Sequence, residues 1–244
     1  PIALHFQFTV HSVVPAPHTI IEGINKLEPG HTLNVTKSGD AYLNKYFDVN
    51  NTELKNHSNK EIINTIDVLL NRAVEKRLNI ADVPVGILLS GGLDSSLITA
   101  MSKKYKQELN TYSIGFNTIN DEIGNEFYYS DLVSNDFNTS HKKYSISDYD
   151  LYHNLDRVIS NMSEPMVSQD SSAFFLLAQN VSLSNKVVLS GQGADEVFGG
   201  YFWYEQIMKD CGKNDTDKLS KYYFDRTFDN YCNVINKKFV ETNY

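Results

Sequence analysis

Between residues 61 and 79 the apolar side chains Ile62, Ile63, Ile66, Leu69, Leu70, Ala73, Val74 and Leu78 recur three and four apart, which predicts a helix with one apolar face. The period then changes. Val85-Gly86-Ile87-Leu88-Leu89 runs without a polar break into Ser90-Gly91-Gly92, as expected of a strand buried on both faces of a parallel sheet. Further along, the same reading predicts helices over 94–104, 125–136, 149–162 and 171–184, and strands over 111–116, 140–146 and 186–189. Short apolar strands alternating with helices predict an α/β fold, an open, doubly wound parallel sheet.

The two ends read differently. Residues 1–48 are expected to form β-structure and turns, with a hairpin whose strands cover 32–36 and 41–47 around Lys37-Ser38-Gly39-Asp40. Two strands are too few to be stable alone, so this piece must lean on something else. Residues 49–60, polar and rich in Asn, read as a linker, and 61–244 as the main domain. Beyond Gly200 the pattern is helical and rich in aromatic residues.

A chain of 244 residues can bury a sizeable core, and 22 basic against 30 acidic side chains give a formal charge of −8. That surface repels a nucleic-acid backbone, yet a helix N-terminus can still hold one small anion. Cys211 and Cys232 have no second Cys or His at metal-ligand spacing, so both are expected to be ordinary thiols in a reducing compartment. No apolar run is long enough to cross a bilayer and no signal pattern opens the chain, so a cytoplasmic location without membrane contact is expected. The start at Pro1 rather than Met suggests a piece of a longer chain.

The chemistry concentrates in two loops. Ser90-Gly91-Gly92-Leu93-Asp94-Ser95-Ser96 follows a buried strand and opens a helix, so paired glycines, hydroxyls and free N–H groups converge where a pyrophosphate would fit. Asp94 would repel that anion unless Mg²⁺ lay between them. Ser190-Gly191-Gln192-Gly193-Ala194-Asp195-Glu196 repeats the grammar of strand, Gly-rich turn and acids; if its strand lies beside the first, Asp195 and Asp94 could share one metal ion. Neither Ser90 nor Ser190 has the Gly two residues upstream that a hydrolase elbow needs, and no Gly-Lys-Ser/Thr P-loop occurs. His141 and His153 read as surface or packing residues, since no acid or nucleophile is spaced to orient them. The polar stretch 117–124 is expected to cover the site as a mobile loop.

These loops resemble the pyrophosphate-binding loop and the second Gly-rich loop, here Ser190 to Tyr201, of the asparagine synthase family. Glu164-Pro165 with Asp170-Ser171-Ser172-Ala173 resembles the segment the family carries between them. Val14-Pro15-Ala16-Pro17-His18-Thr19-Ile20, Gly23-Ile24, Lys26-Leu27 and Pro29-Gly30-His31 resemble the end of its glutaminase domain. The matches span nearly the whole chain in order. The resemblance implies an ATP-pyrophosphatase-type sheet preceded by the glutaminase domain's last hairpin. It also implies an amidotransferase using ATP and Mg²⁺, in which a substrate carboxylate becomes an acyl-adenylate with release of pyrophosphate and ammonia from glutamine then displaces AMP.

By position, Ser90, Gly92, Asp94, Ser95 and Ser96, in a loop that includes Gly91 and Leu93, would hold pyrophosphate, and Asp94 with Asp195 would hold Mg²⁺. Leu88, Ile114, Ser190 and Gly191 would line the nucleotide pocket, with Glu196 and Gln192 near the acyl group. Partners would be a small carboxylate and a glutaminase domain absent from this chain, with a homodimer as a further possibility. Departures from the family imply that this piece alone is inactive: the glutaminase nucleophile is missing, and so is a lysine-bearing helical segment that follows in relatives. Gln192 stands where asparagine-forming members usually have Glu, and an amide cannot act as a general base. That residue, with 162–168 and 201–204, resembles the branch that amidates N-acetylglutaminylglutamine. The alternatives are another ATP pyrophosphatase, such as one that adenylates tRNA, and a nucleotide-binding module without catalysis.

Overall fold

The structure, a computed structural model, describes residues 2–49, 57–117, 125–166, 168, 170–211 and 214–240. In chain order its elements are α1 (Ile2–Thr9), β1 (His31–Val35), β2 (Ala41–Lys45), α2 (Asn59–Ile80), β3 (Val85–Leu88), α3 (Leu93–Lys103), β4 (Asn110–Phe116) and α4 (Phe127–Asp136). There follow β5 (Ser140–Ile146), α5 (Asp148–Asn161), α6 (Asp170–Val181), β6 (Val187–Leu189), α7 (Ala194–Phe198), α8 (Phe202–Lys209), α9 (Asp215–Tyr222) and α10 (Phe228–Val234). They gather into two compact units: Lys55–Asn161 with Ser168–Gly200, and Pro1–Leu54 with Met162–Val167 and Tyr201–Tyr244.

The first of these units holds the expected parallel sheet, in the order β5-β4-β3-β6. Successive side chains of a strand point to opposite faces, so each strand contributes to the packing on both sides of the sheet. Val85 and Leu189 pack with Leu70, Val74, Leu78 and Met101 of α2 and α3. Leu88, Tyr112, Ile114 and Tyr144 point the other way and pack with Leu177 and Val181 of α6. With helices on both faces, the sheet is doubly wound as the strand and helix pattern predicts. The chain steps from β3 outward to β4 and β5, then returns to place β6 on the other side of β3. That reversal makes a crevice at the carboxyl ends of β3 and β6, the place where open α/β sheets bind ligands.

Helix α2 begins inside the stretch read as linker, because Ser58 and Glu61 form a capping box. Ser58 Oγ accepts from Glu61 N at 3.3 Å, while Glu61 Oε2 accepts from Ser58 N at 2.8 Å. Residues 50–56 and 118–124, which carry most of that linker and most of the expected covering loop, lie outside the described residues.

At the opposite end of the sheet, buried Asn185 ties three segments together. Its Nδ2 donates to Pro84 O at 2.9 Å, and its Oδ1 accepts from the hydroxyl of Tyr112, which is fully buried. A Cβ on Gly86 would lie 2.7 Å from Tyr112 Cε2, so the ring occupies space that only a glycine leaves free. Asn185→Ala takes the amide donor from Pro84 O and leaves the Tyr112 hydroxyl with Ser184 Oγ, at 2.9 Å, as its remaining partner; it is expected to lower unfolding free energy by about 1–2 kcal/mol, read by urea denaturation.

In the second unit β1 and β2 form the expected antiparallel hairpin, Leu33 facing Leu43. Ile2–Thr9 corrects the reading of residues 1–48 as β-structure and turns: it is a helix. The reason is tertiary. Its His5 ring packs edge-on against buried Tyr231 of α10 at 4.9 Å, and Gln7 Nε2 donates to Pro165 O at 2.8 Å. Lys26 pairs with Glu164 at 2.5 Å, so the Glu164-Pro165 motif joins this unit. Cys211 and Cys232 are free thiols. No described helix is long and apolar enough to cross a membrane.

Candidate functional site

The loop after β3 is held by its own hydroxyls. Ser90 Oγ accepts from Gly92 N at 3.2 Å and lies 3.0 Å from Ser95 Oγ, which donates to Gly92 O at 3.2 Å. Gly92 is the N-cap of α3 and has no side chain to cap it. The first-turn N–H groups of α3 therefore face the loop without a side-chain acceptor, and the helix dipole adds positive potential there. Gly91 has φ +92°, and a Cβ on it would lie 2.5 Å from Ser130 N and from Tyr129 C. The loop lies hard against α4 and tolerates no side chain at that point.

The second loop comes from β6, paired in parallel with β3. A Cβ on Gly191 would lie 2.8 Å from Asp94 Cβ and 3.0 Å from Ser95 N, so the two loops touch. Ser190 Oγ accepts from Gln192 N at 3.0 Å. Asp195 stands in the first turn of α7 with its carboxylate over Gly200, whose N–H donates to Asp195 O at 3.0 Å.

Between the loops lies a cleft of about 260 Å³. Ser90, Gly92, Asp94 and Ser95 line it from one side, and Ser190, Gly191, Gln192 and Asp195 from the other. Its inner wall is apolar, with Leu88 and Ile114 from the sheet facing Phe174 and Leu177 of α6. The structure thus gathers ten of the residues expected from sequence. Gly91, Leu93, Ser96 and Glu196 do not line the cleft: Gly91 is turned against α4, Leu93 is 82% exposed, and Glu196 is exposed on α7. Leu89, Tyr112, Ser113, Phe174 and Leu177 line it without having been singled out. Their signal was present but weak: the apolar run at 85–89, alternation in β4 and helical spacing in α6 mark all but Ser113 as core, and only the fold turns that core toward a ligand.

The carboxylates of Asp94 and Asp195, both residues half-buried, have no hydrogen-bond or ion-pair partner among the described residues. Two carboxylates on opposite walls of one cleft repel each other, and a cation between them removes that cost. No group of three or more His, Cys, Asp or Glu able to hold a metal exists among the described residues. The pair fits Mg²⁺, which binds through one or two carboxylates and takes its other ligands from phosphate and water, better than it fits a metal that needs a full protein cage.

An uncapped helix start and two carboxylates without partners among the described residues stand at the reversal point of a parallel sheet, in an α/β domain whose cleft lies where such sheets bind ligands. The chain belongs to the asparagine synthase family, whose description matches residues 65–242. It is 28% identical over 203 residues to the glutamine-hydrolyzing asparagine synthetase 1 of Bacillus subtilis (strain 168), covering 83% of this chain and 31% of that protein. It is 32% identical over 209 residues to asparagine synthetase 3 of the same strain, covering 79% and 33%. To asparagine synthetase 1 of Arabidopsis thaliana it is 35% identical over 148 residues, covering 55% and 24%. Among solved structures, the NH3-dependent NAD synthetase from Campylobacter jejuni in complex with nitrate ion has a TM-score of 0.39 at 19% identity, covering 65% of this chain and 72% of that one. The chain spans about a third of the length of the curated relatives it matches.

Proposed function

We propose that this domain is the synthetase part of an ATP-dependent amidotransferase and that ATP binds in the cleft between β3 and β6. The observation that carries the reading is the pair Asp94 and Asp195, unpaired on facing walls beside the uncapped start of α3. In this reading adenosine rests on Leu88, Ile114, Phe174 and Leu177, and the β- and γ-phosphates lie against Ser90, Gly92 and Ser95. A carboxylate oxygen of the acceptor attacks the α-phosphorus, the bond to the bridging oxygen breaks, and pyrophosphate leaves. Ammonia then adds to the acyl carbon of the adenylate, loses a proton and displaces AMP. Mg²⁺ held by Asp94 and Asp195 would neutralise charge on the leaving pyrophosphate. The relatives' glutamine-hydrolyzing character supports glutamine as the ammonia source, supplied by a glutaminase domain outside this chain.

Gln192 supports a second reading of the acceptor. It lines the cleft, and its amide can donate to an acyl oxygen but cannot remove a proton from ammonia. An amide donor at that point suits an acceptor that itself carries amides, such as N-acetylglutaminylglutamine. Pyrophosphate release by the full-length protein, with ATP, Mg²⁺ and ammonia and with aspartate or the dipeptide as acceptor, tests both readings. The dipeptide alone is expected to stimulate release, by more than about tenfold over no acceptor, the factor one well-placed hydrogen bond allows. Asparagine as the sole product would overturn the dipeptide reading, and release dependent on tRNA would overturn both.

A further inference from the structure

His141, which that reaction scheme leaves without a role, is buried beneath the Gly-rich loop. It stands on β5 opposite Thr111, its side chain 7% exposed. Nδ1 lies 2.9 Å from Thr111 Oγ1, and Nε2 lies 3.3 Å from Ser113 Oγ and 3.2 Å from Ser130 Oγ. Burial pushes the imidazole pKa below its ordinary value, against an opposing pull from Asp131. The ring is therefore neutral at pH 7 and carries one N–H.

A neutral imidazole donates at one nitrogen and accepts at the other, so the ring can be bonded on both sides. Ser113 Oγ donates to Leu89 O, and Ser130 Oγ can donate to Phe127 O at 3.1 Å or to Nε2. Nε2 lies between Ser113 and Ser130, and Nδ1 against Thr111. Both serines touch the phosphate loop. Ser113 lines the cleft and fixes the carbonyl of Leu89, the residue before Ser90. Ser130 contributes the backbone nitrogen against which Gly91 is pressed.

We infer that His141 is a positioning residue for the nucleotide site: by placing Nε2 between Ser113 and Ser130 it sets the height of the 89–92 turn and so the fit of the ATP phosphates. This rests on the proposed ATP reading of the cleft. The test compares His141→Gln with His141→Asn in the full-length protein. A Gln amide group reaches about as far as Nε2 and can bond the serines there, whereas an Asn side chain ends near the position of Nδ1 and cannot. Calorimetric titration with Mg²⁺-ATP should show His141→Asn binding about tenfold more weakly and His141→Gln within about threefold of wild type. KM for the acceptor should stay unchanged in both variants.

Equal weakening of the two variants, no weakening in either, or a parallel loss in ATP affinity, acceptor KM and melting temperature would overturn the assignment and leave His141 a packing residue. Failure of the wild-type protein to bind ATP would instead overturn the reading of the cleft on which it rests.

Discussion

Asp94→Asn in the full-length protein is expected to lower Mg²⁺-dependent pyrophosphate release by about 10³-fold, the loss typical of removing one electrostatic contact to a developing charge. The substitution keeps the shape of the side chain and its place at the start of α3, so folding should be spared. It removes half of the negative charge facing the cleft, and with it the partner that makes a shared cation favourable with Asp195. Two readouts separate this from general damage. The melting temperature should hold, because Asp94 has no hydrogen-bond or ion-pair partner to lose among the described residues. The Mg²⁺ concentration for half-maximal activity should rise, whereas a residue that merely packs would leave it alone. Retained turnover at ordinary Mg²⁺ would exclude Asp94 as a metal ligand.

Gly91→Ala is the second large effect, and it acts through sterics. At φ +92° an alanine is strained, and its Cβ would also lie 2.5 Å from backbone atoms of Tyr129 and Ser130. Backbone cannot swing aside as a flexible side chain can, so either α4 or the loop must move. The expected cost is about 3–4 kcal/mol, conformational strain and overpacking together. Gly193→Ala is the matched control: its φ is +90°, but nothing lies within 4 Å of its Cβ position. That variant carries the strain alone, about 1 kcal/mol. Urea denaturation of both variants measures the difference, and ATP titration should show affinity lost in the first. Equal costs would mean that the loop is not pressed against α4.

Much of this was legible in the linear pattern. The apolar run at 85–89, the helical spacing over 61–79 and the exact recovery of β5 at Ser140–Ile146 follow from local periodicity, which needs no tertiary information. The two Gly-rich loops were legible for a related reason: a tight turn between strand and helix calls for glycine whatever surrounds it. The helix at Ile2–Thr9 was not legible, because its eight residues settle on packing against α10 rather than on any periodic face of their own. His141 shows the same limit from the side of function. Alone in the sequence it is a histidine on a short strand, and its role depends on Ser113 and Ser130, which arrive from β4 and α4.

Residue order, then, specified the alternating strands and helices, the glycines at their turns and the acids that follow them, since each of these answers to neighbours a few residues away. It could not specify that β6 returns beside β3, a pairing of segments about a hundred residues apart (Val85 with Val187). That return puts Asp195 and Asp94 on the walls of one cleft built from two ordinary loops. Burial of Leu189 with Val85 and the helices α2 and α3 favours the pairing, and burial is a property of the packed sheet, not of either segment alone.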